Sequence, residues 1–237
     1  MKNLISICAL LGFMMVSVAS FSQDALFKEE RPVSSFNAID ASGIARIYLT
    51  QGDQEKVVVE VNNRSLNDRL KIKVQNNTLQ IKIQDGMNAH NQFKDAKVNI
   101  YVTYKELKSI SGSGATSYKS EDPIKVTKLK VELSGANQTD LNLDVTELEF
   151  DVSGASNVEL KGHADKFSIN ASGASHVRAF SLNAEDVQVE TSGVANTQIT
   201  AQKTIDINAS GVSNLTYKGE AKVVGRDVSK MANAHKD

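Results

Sequence analysis

Tryptophan is absent from the chain, proline occurs only at Pro32 and Pro123, and the one cysteine is Cys8. A single thiol excludes an intrachain disulfide framework, so the fold must rest on its core. Aromatic residues make up 5% of the 237 residues, which leaves aliphatic side chains to fill that core. Charge of either sign is also missing in excess: 27 Lys plus Arg stand against 28 Asp plus Glu, a net charge of -1. The basic residues are scattered, which removes the electrostatic footprint of a nucleic-acid binder or a polybasic membrane binder. What is plentiful is Gly, Ser, Asn and Val, a balance that favours a regular β-protein over a helical enzyme.

Long apolar runs are confined to the start. Lys2 is followed by the apolar stretch Leu4 to Val18 and then by Ala19, Ser20, Ser22 and Gln23, the pattern of a signal peptide over residues 1–22. The run is too short and too weakly flanked for a membrane span, and Cys8 sits mid-run, away from the position of a lipid-attachment cysteine. The expected mature protein is exported to a bacterial periplasm or cell surface. It carries no thiol, no lipid anchor and no transmembrane helix, and residues 23–35 form an N-terminal extension.

Ser-Gly followed by a small residue recurs at Ser113-Gly114-Ala115, Ser134-Gly135-Ala136, Ser153-Gly154-Ala155, Ser172-Gly173-Ala174, Ser192-Gly193-Val194 and Ser210-Gly211-Val212. The glycines advance by 21, 19, 19, 20 and 18 residues, the mark of a solenoid. A degenerate copy, Val228 to Asn233, places Lys230 19 residues after Gly211 and reads as a terminal coil. Alignment on Gly shows apolar residues six, four and two positions earlier, for example Leu148/Phe150/Val152 and Phe167/Ile169/Ala171. Period two means a strand with one buried face. Six residues after Gly come Leu141, Leu160, Ala179, Ile199 and Tyr217, which predict a second strand in each repeat. Two strands and two turns cannot bury a core alone, so the coils must stack. The predicted fold is all-β, a right-handed parallel β-helix of ~20-residue coils, its hand taken from the crossover rule.

Two columns are expected to be structural. Gly114, Gly135, Gly154, Gly173, Gly193 and Gly211 form a corner that needs φ > 0 or close backbone approach, so Val at Gly154 or Gly173 should cost on the order of 1 to 3 kcal/mol, and Ala less. Gln138, Asn157, His176, Asn196 and Asn214, three residues after each Gly, form a polar ladder whose side chains would bond along the stack at steps of ~4.8 Å. His176 interrupts the amides, and its protonation below a pKa of ~6.5 would insert a charge into a buried ladder.

The first half is less regular. Strands are predicted for Ile44 to Gln51, Lys56 to Val61 and Val98 to Tyr104, with a hairpin of Leu70 to Val74 and Leu79 to Ile83 around Asn76-Asn77 and a polar loop from Asp85 to Asp95. Residues 36–107 then form an elaborated part that covers the first edge of the regular coils, 108–237, within a single domain, 36–237.

The order of these features resembles the head GIN domain family of putative auto-transporter adhesins. The shared pattern comprises the signal peptide, Phe36-Asn37-Ala38-Ile39 with Ser42-Gly43, Leu49-Thr50-Gln51-Gly52, the hairpin Leu70 to Ile83, Leu107 before Ser111-Gly112-Ser113-Gly114, and the Ser-Gly-Ala coils. The resemblance implies a β-helix of the pectin-lyase kind and a role in adhesion, and it carries over no catalytic residues. The short tail after Lys230 leaves no room for a translocator barrel, so self-export is not expected.

Chemistry is sparse. Glu132, Asp151, Asn170, Glu190 and Asn208 stack three residues before Gly, and Asp140, Glu159 and Arg178 stack five residues after it, where Glu159 and Arg178 are expected to pair across coils as part of a solvated face. His90, His163, His176 and His235 lack metal-ligand spacing, and Gly-x-Ser-x-Gly and a phosphate loop are missing. No cofactor or metal is implied. The reading is a non-catalytic adhesin-like module that offers a rigid face to a glycan or cell-envelope protein, with an oligomer possible. The alternatives are a structural envelope protein without ligand and, last, a polysaccharide lyase or hydrolase.

Overall fold

A glycine with positive φ turns the chain once in every regular coil, and in the middle coils the rest is one long strand. The computed structural model describes residues 26–83 and 97–237. The predicted signal peptide, Cys8, the polar loop Asp85 to Asp95 and His90 lie outside these residues. The regular coils are β7 (Ser109–Lys119), β8 (Ile124–Leu133), β9 (Gln138–Val152), β10 (Asn157–Ala171), β11 (His176–Thr191) and β12 (Asn196–Ala209). They close with β13 (Asn214–Lys218), β14 (Lys222–Val228) and β15 (Asn233–Lys236). Every neighbouring pair from β7 onward is parallel, and the whole forms a β-solenoid of about 7 turns.

The expected second turn breaks the chain between β7 and β8 and between β13 and β14, but within β9 to β12 it is absent as a break. In β9 the inward residues Leu141, Leu143 and Val145 alternate with outward ones until Thr146 and Glu147 both face out, after which Leu148, Phe150 and Val152 are buried. Two successive outward residues shift the phase by one, so both halves of the strand can face one core only if the strand bends there. Asp165-Lys166 and Glu185-Asp186 do the same in β10 and β11. Register stacks the predicted apolar columns: Val131, Phe150, Ile169, Val189 and Ile207 are consecutive partners, each at most 2% exposed. Each such side chain stabilises by ~1.5–3 kcal/mol relative to exposure, and no single coil could bury it alone.

The first half caps the stack. β2 (Ala38–Gln51) is a full coil that runs straight through Gly43, beginning six residues before the predicted Ile44, and lies parallel to β7. On its other edge, Ala38–Ser42 pair with β5 (Thr78–Ile83), itself hairpinned to β4 (Leu70–Gln75). Asn76 and Asn77 turn that hairpin at φ 53 and 58, both values that a two-residue I′ turn requires. Arg46–Gln51 pair with β6 (Val98–Tyr104), then β3 (Lys56–Val61), then β1 (Phe27–Arg31), the last two pairings antiparallel. The sheet therefore begins at Phe27, inside the stretch read as an extension. A helical turn, α1 (Arg64–Arg69), precedes the hairpin: Asn63 Oδ1 caps it by accepting from Ser65 N at 2.9 Å, and Leu66 is buried beneath.

Candidate functional site: a polar groove along the corner

The Ser-Gly corners stack with their backbones in contact. Ala136 N donates to Gly114 O, Ala155 N to Gly135 O, Ala174 N to Gly154 O, Val194 N to Gly173 O and Val212 N to Gly193 O, all at 2.8–2.9 Å. Gly114, Gly135, Gly154, Gly173, Gly193 and Gly211 all have φ between 69 and 95. A side chain on Gly173 would bring Cβ within 2.7 Å of Gly154 O. The first corner differs: Gly43 shares the conformation, with φ 96, but among the described residues the atoms nearest a Cβ there belong to the Ile83 side chain, at 3.5 Å and beyond.

The residues picked for the ladder stack in register, Gln138 to Asn157 to His176 to Asn196 to Asn214 to Asn233, but on the outside of the coil. Gln138 and Asn157 are exposed, and His176, Asn196 and Asn214 are half-buried. Along this column, among the described residues, the side-chain bond between neighbours is Asn233 Nδ2 to Asn214 Oδ1 at 3.3 Å. A charge on half-exposed His176 would not enter a buried column. The buried polar column lies one residue earlier, at Thr116, Asn137, Ser156, Ser175 and Ser213, each at most 2% exposed, with Ala195 completing it. Thr116 Oγ1 donates to Asn137 Oδ1 at 2.5 Å, Asn137 Nδ2 donates to Ser134 O at 2.7 Å, and Ser156 Oγ donates to Gly135 O at 3.3 Å. The correction is physical. Positive φ at Gly resets the alternation, so the second residue after it points inward and the third outward.

Before the corner, a second outward column runs the length of the molecule. Asp40, Ser111, Glu132, Asp151, Asn170, Glu190, Asn208 and Asp227 are successive register partners. Glu132, Asp151, Asn170, Glu190 and Asn208 were legible from the glycine alignment. Asp40, Ser111 and Asp227 were missed, although they stand three residues before Gly43, Gly114 and Lys230, and extending the same alignment finds them. With the corner serines Ser113, Ser134, Ser153 and Ser172 beside it, the stretch of this column from Asp40 to Asn170 borders a groove of about 400 Å³. Ser134 Oγ, Ser153 Oγ and Ser172 Oγ donate to carbonyls of the coil before at 3.4–3.5 Å, which leaves the oxygen lone pairs as acceptors along the groove. Lys130 holds Glu132 at 2.9 Å and Lys82 holds Asp40 at 3.5 Å, whereas Asp151 and Glu190 have no ion-pair partner among the described residues. Glu132 in turn holds the Lys130 ammonium above its usual range, first by its hydrogen bond and then by its charge.

Elsewhere the charges make local pairs. Glu159 and Arg178 are register partners, but the predicted ion pair does not close, and Asp140 instead meets Lys161 at 3.7 Å. His163 contacts Asp165 at 3.0 Å, and His235 contacts Thr216 at 3.3 Å. Among the described residues no three His, Cys, Asp or Glu side chains gather as a metal site, and no helix is long and apolar enough to cross a membrane.

Comparison with known proteins bears on this architecture. The sequence pattern described as "Putative auto-transporter adhesin, head GIN domain" matches residues 35–221. A putative adhesin from Bacteroides fragilis NCTC 9343 is similar in structure, with a TM-score of 0.82 and 24% identity, covering 90% of this chain and 97% of that one. A putative adhesin from Parabacteroides merdae ATCC 43184 gives 0.69 at 20% identity, over 90% and 96% of the two chains. A putative lipid binding protein from Parabacteroides distasonis ATCC 8503 gives 0.68 at 21% identity, over 89% and 96%. Among proteins with curated descriptions, none matches.

Proposed function

The chain belongs to the head GIN domain family of putative auto-transporter adhesins, and from that premise we propose that it is an exported, non-catalytic binding module of the bacterial periplasm or cell surface that holds a glycan along its corner groove. The observation that carries the reading is the unbroken register of Asp40, Ser111, Glu132, Asp151, Asn170, Glu190, Asn208 and Asp227 beside the corner serines. Carboxylates, amides and hydroxyls recur there at steps of ~4.8 Å, so a polyhydroxylated chain laid along the axis meets an acceptor or donor at every coil. Glu132 is engaged by Lys130 at 2.9 Å, so of these adjacent carboxylates Asp151 is the one left without an ion-pair partner among the described residues to accept from a hydroxyl.

The test is a glycan array probed with the chain lacking residues 1–22, followed by calorimetry on any glycan that binds. The expected result is saturable binding that falls at least tenfold in Asp151→Ala and Asn170→Ala, with no turnover of the glycan. Binding that survives both substitutions, absence of any saturable glycan, or cleavage of a polyuronate would overturn the reading. A groove-dependent complex with one envelope protein would move the function to protein recognition.

A further inference from the structure

A second hollow, larger and more enclosed than the groove, lies where the capping half joins the first regular coil. It holds about 630 Å³ and is lined by Gln51, Glu106, Leu107, Lys108, Lys125, Val126, Thr127 and Lys128. That is within the range of small-molecule sites. Its frame is fixed by Gln51 at the end of β2: Gln51 Nε2 donates to Lys105 O at 3.2 Å and to Lys125 O at 3.1 Å, and Gln51 Oε1 accepts from Lys125 N at 3.0 Å. One amide thus ties the linker after β6 to the start of β8, and Lys108 N donates to Asn37 O at 2.7 Å on the far side of Leu107. Hydrogen-bonded backbone frames the cavity.

Its lining combines two chemistries. Leu107 and Val126 are apolar, and the aliphatic stems of the lysines extend that surface. Three lysines of unequal standing also line the hollow. Lys128 is already engaged, by Glu147 at 3.0 Å and Glu149 at 2.5 Å. Lys108 and Lys125 have no ion-pair partner among the described residues. Among the described residues, Glu106 is the one carboxylate in the lining.

From this juxtaposition we infer that the hollow is a binding site for an anionic amphiphile, a carboxylate or phosphate carried on an acyl chain, with the anion at Lys108 and Lys125 and the chain against half-buried Val126 and the lysine stems, over a floor closed by buried Leu107. An apolar neutral ligand would leave both ammonium groups without a counter-ion, and a small anion would leave the apolar wall wet; the amphiphile satisfies both. Lys128 is a bystander because its charge is spent on two glutamates. This site shares no residue with the corner groove and stands or falls independently of it.

The experiment is calorimetric titration of the chain lacking residues 1–22 with sodium dodecanoate and with dodecyl phosphate below their micelle concentrations. The controls are dodecyltrimethylammonium and inorganic phosphate. One-site binding of the anionic amphiphiles with a negative heat-capacity change is expected, and neither control should bind comparably. Lys125→Glu and Lys108→Glu should each weaken binding tenfold or more, Val126→Asp should abolish it, Lys128→Gln should leave it within twofold, and Glu106→Gln should tighten it. Thermal melts of each variant separate loss of binding from loss of fold. Flotation with phosphatidylglycerol vesicles then distinguishes the source: vesicle binding sensitive to Lys125→Glu assigns a membrane headgroup, and its absence alongside dodecanoate binding assigns a free acid. Failure of both amphiphiles to saturate, equal binding of the cationic detergent, or affinity unchanged in both lysine variants would overturn the inference.

Discussion

Gly43 and Gly173 share one backbone conformation and differ in what lies beneath them, so replacing each by alanine separates conformational strain from coil stacking. At Gly43, with φ 96, the new Cβ meets Ile83 Cβ at an ordinary 3.5 Å. The substitution then costs only the left-handed penalty of ~1–2 kcal/mol, partly offset by ~0.4–1 kcal/mol from the stiffer unfolded chain. A net loss of about 1 kcal/mol is expected. At Gly173, with φ 75, the Cβ stands 2.7 Å from Gly154 O and 2.9 Å from Gly154 N. Both atoms are backbone, so relief requires the two coils to separate.

The carbonyl that blocks the methyl already accepts Ala174 N at 2.9 Å, and that bond is lengthened when the coils part. Adding ~0.5–1.5 kcal/mol for the weakened bond and a similar amount for neighbouring corner contacts brings the total to ~2–4 kcal/mol. For a chain of this size that corresponds to a melting shift of about 4–16 °C for Gly173→Ala, against roughly 2–4 °C for Gly43→Ala. The clash also lifts the expected cost of valine at this corner above the range of ~1 to 3 kcal/mol set for it, with alanine still the cheaper of the two, since the first carbon already meets the backbone. Melts followed by circular dichroism decide it. Two variants that unfold within a degree of each other would refute the stacking argument, and a Gly173→Ala variant as stable as the parent would refute the strain argument as well.

The remaining predictions concern polar groups. Asn137→Leu removes the acceptor of Thr116 and the donor to Ser134 O at a 2% exposed position and should cost ~2–4 kcal/mol in urea denaturation. Asn196→Leu, in the half-buried outer column, should stay within ~0.5 kcal/mol, and equal losses at the two sites would restore the outer residues as the structural ladder. Burial raises the phenol pKa of Tyr118, whose hydroxyl donates to Ser111 O at 2.6 Å, and also that of Tyr104. Because the folded value is raised, the neutral form favours the folded state: stability is complete below the unfolded value of ~10 and is lost as pH rises above it. Denaturation midpoints should therefore be flat from pH 7 to 9 and fall beyond 10, with a shallower alkaline fall in Tyr118→Phe; an unchanged slope would show that this phenol does not drive it.

What could be read from the sequence was whatever repeats. The glycine spacing and the columns Val131, Phe150, Ile169, Val189 and Ile207 identified a solenoid because period two and period twenty agree. The strand bend at Thr146-Glu147 looked like a turn, since an extra polar residue in an alternating pattern is the same letter sequence whether the chain breaks or bends. The ladder was set one residue late because amides at Gln138, Asn157, Asn196 and Asn214 form the more uniform column, while the buried one mixes Thr, Asn, Ser and Ala. Only the φ of the corner glycine decides which of two adjacent polar residues turns inward. α1 and β1 were hidden for another reason: six residues around Leu66 and the charged stretch Phe27–Arg31 are too short to show a period.

The two candidate sites follow from this division between repeat and irregularity. Where the coils repeat, every outward position becomes a row, and Asp151, Asn170 and Glu190 are offered at one spacing with no unique point along it. Such a row suits a ligand that itself repeats. A discrete cavity needs a place where one coil fails to cover the next. The linker from Lys105 to Lys108 joins β8 at Lys130, whose N donates to Lys108 O at 2.9 Å, and Gln51 ties the start of β8 to Lys105 with three hydrogen bonds. Polymer recognition and small-molecule recognition therefore fall to different parts of one rigid frame. Glycan binding lost in Asp151→Ala with dodecanoate binding intact, and the converse for Lys125→Glu, is the pair of results that this separation requires.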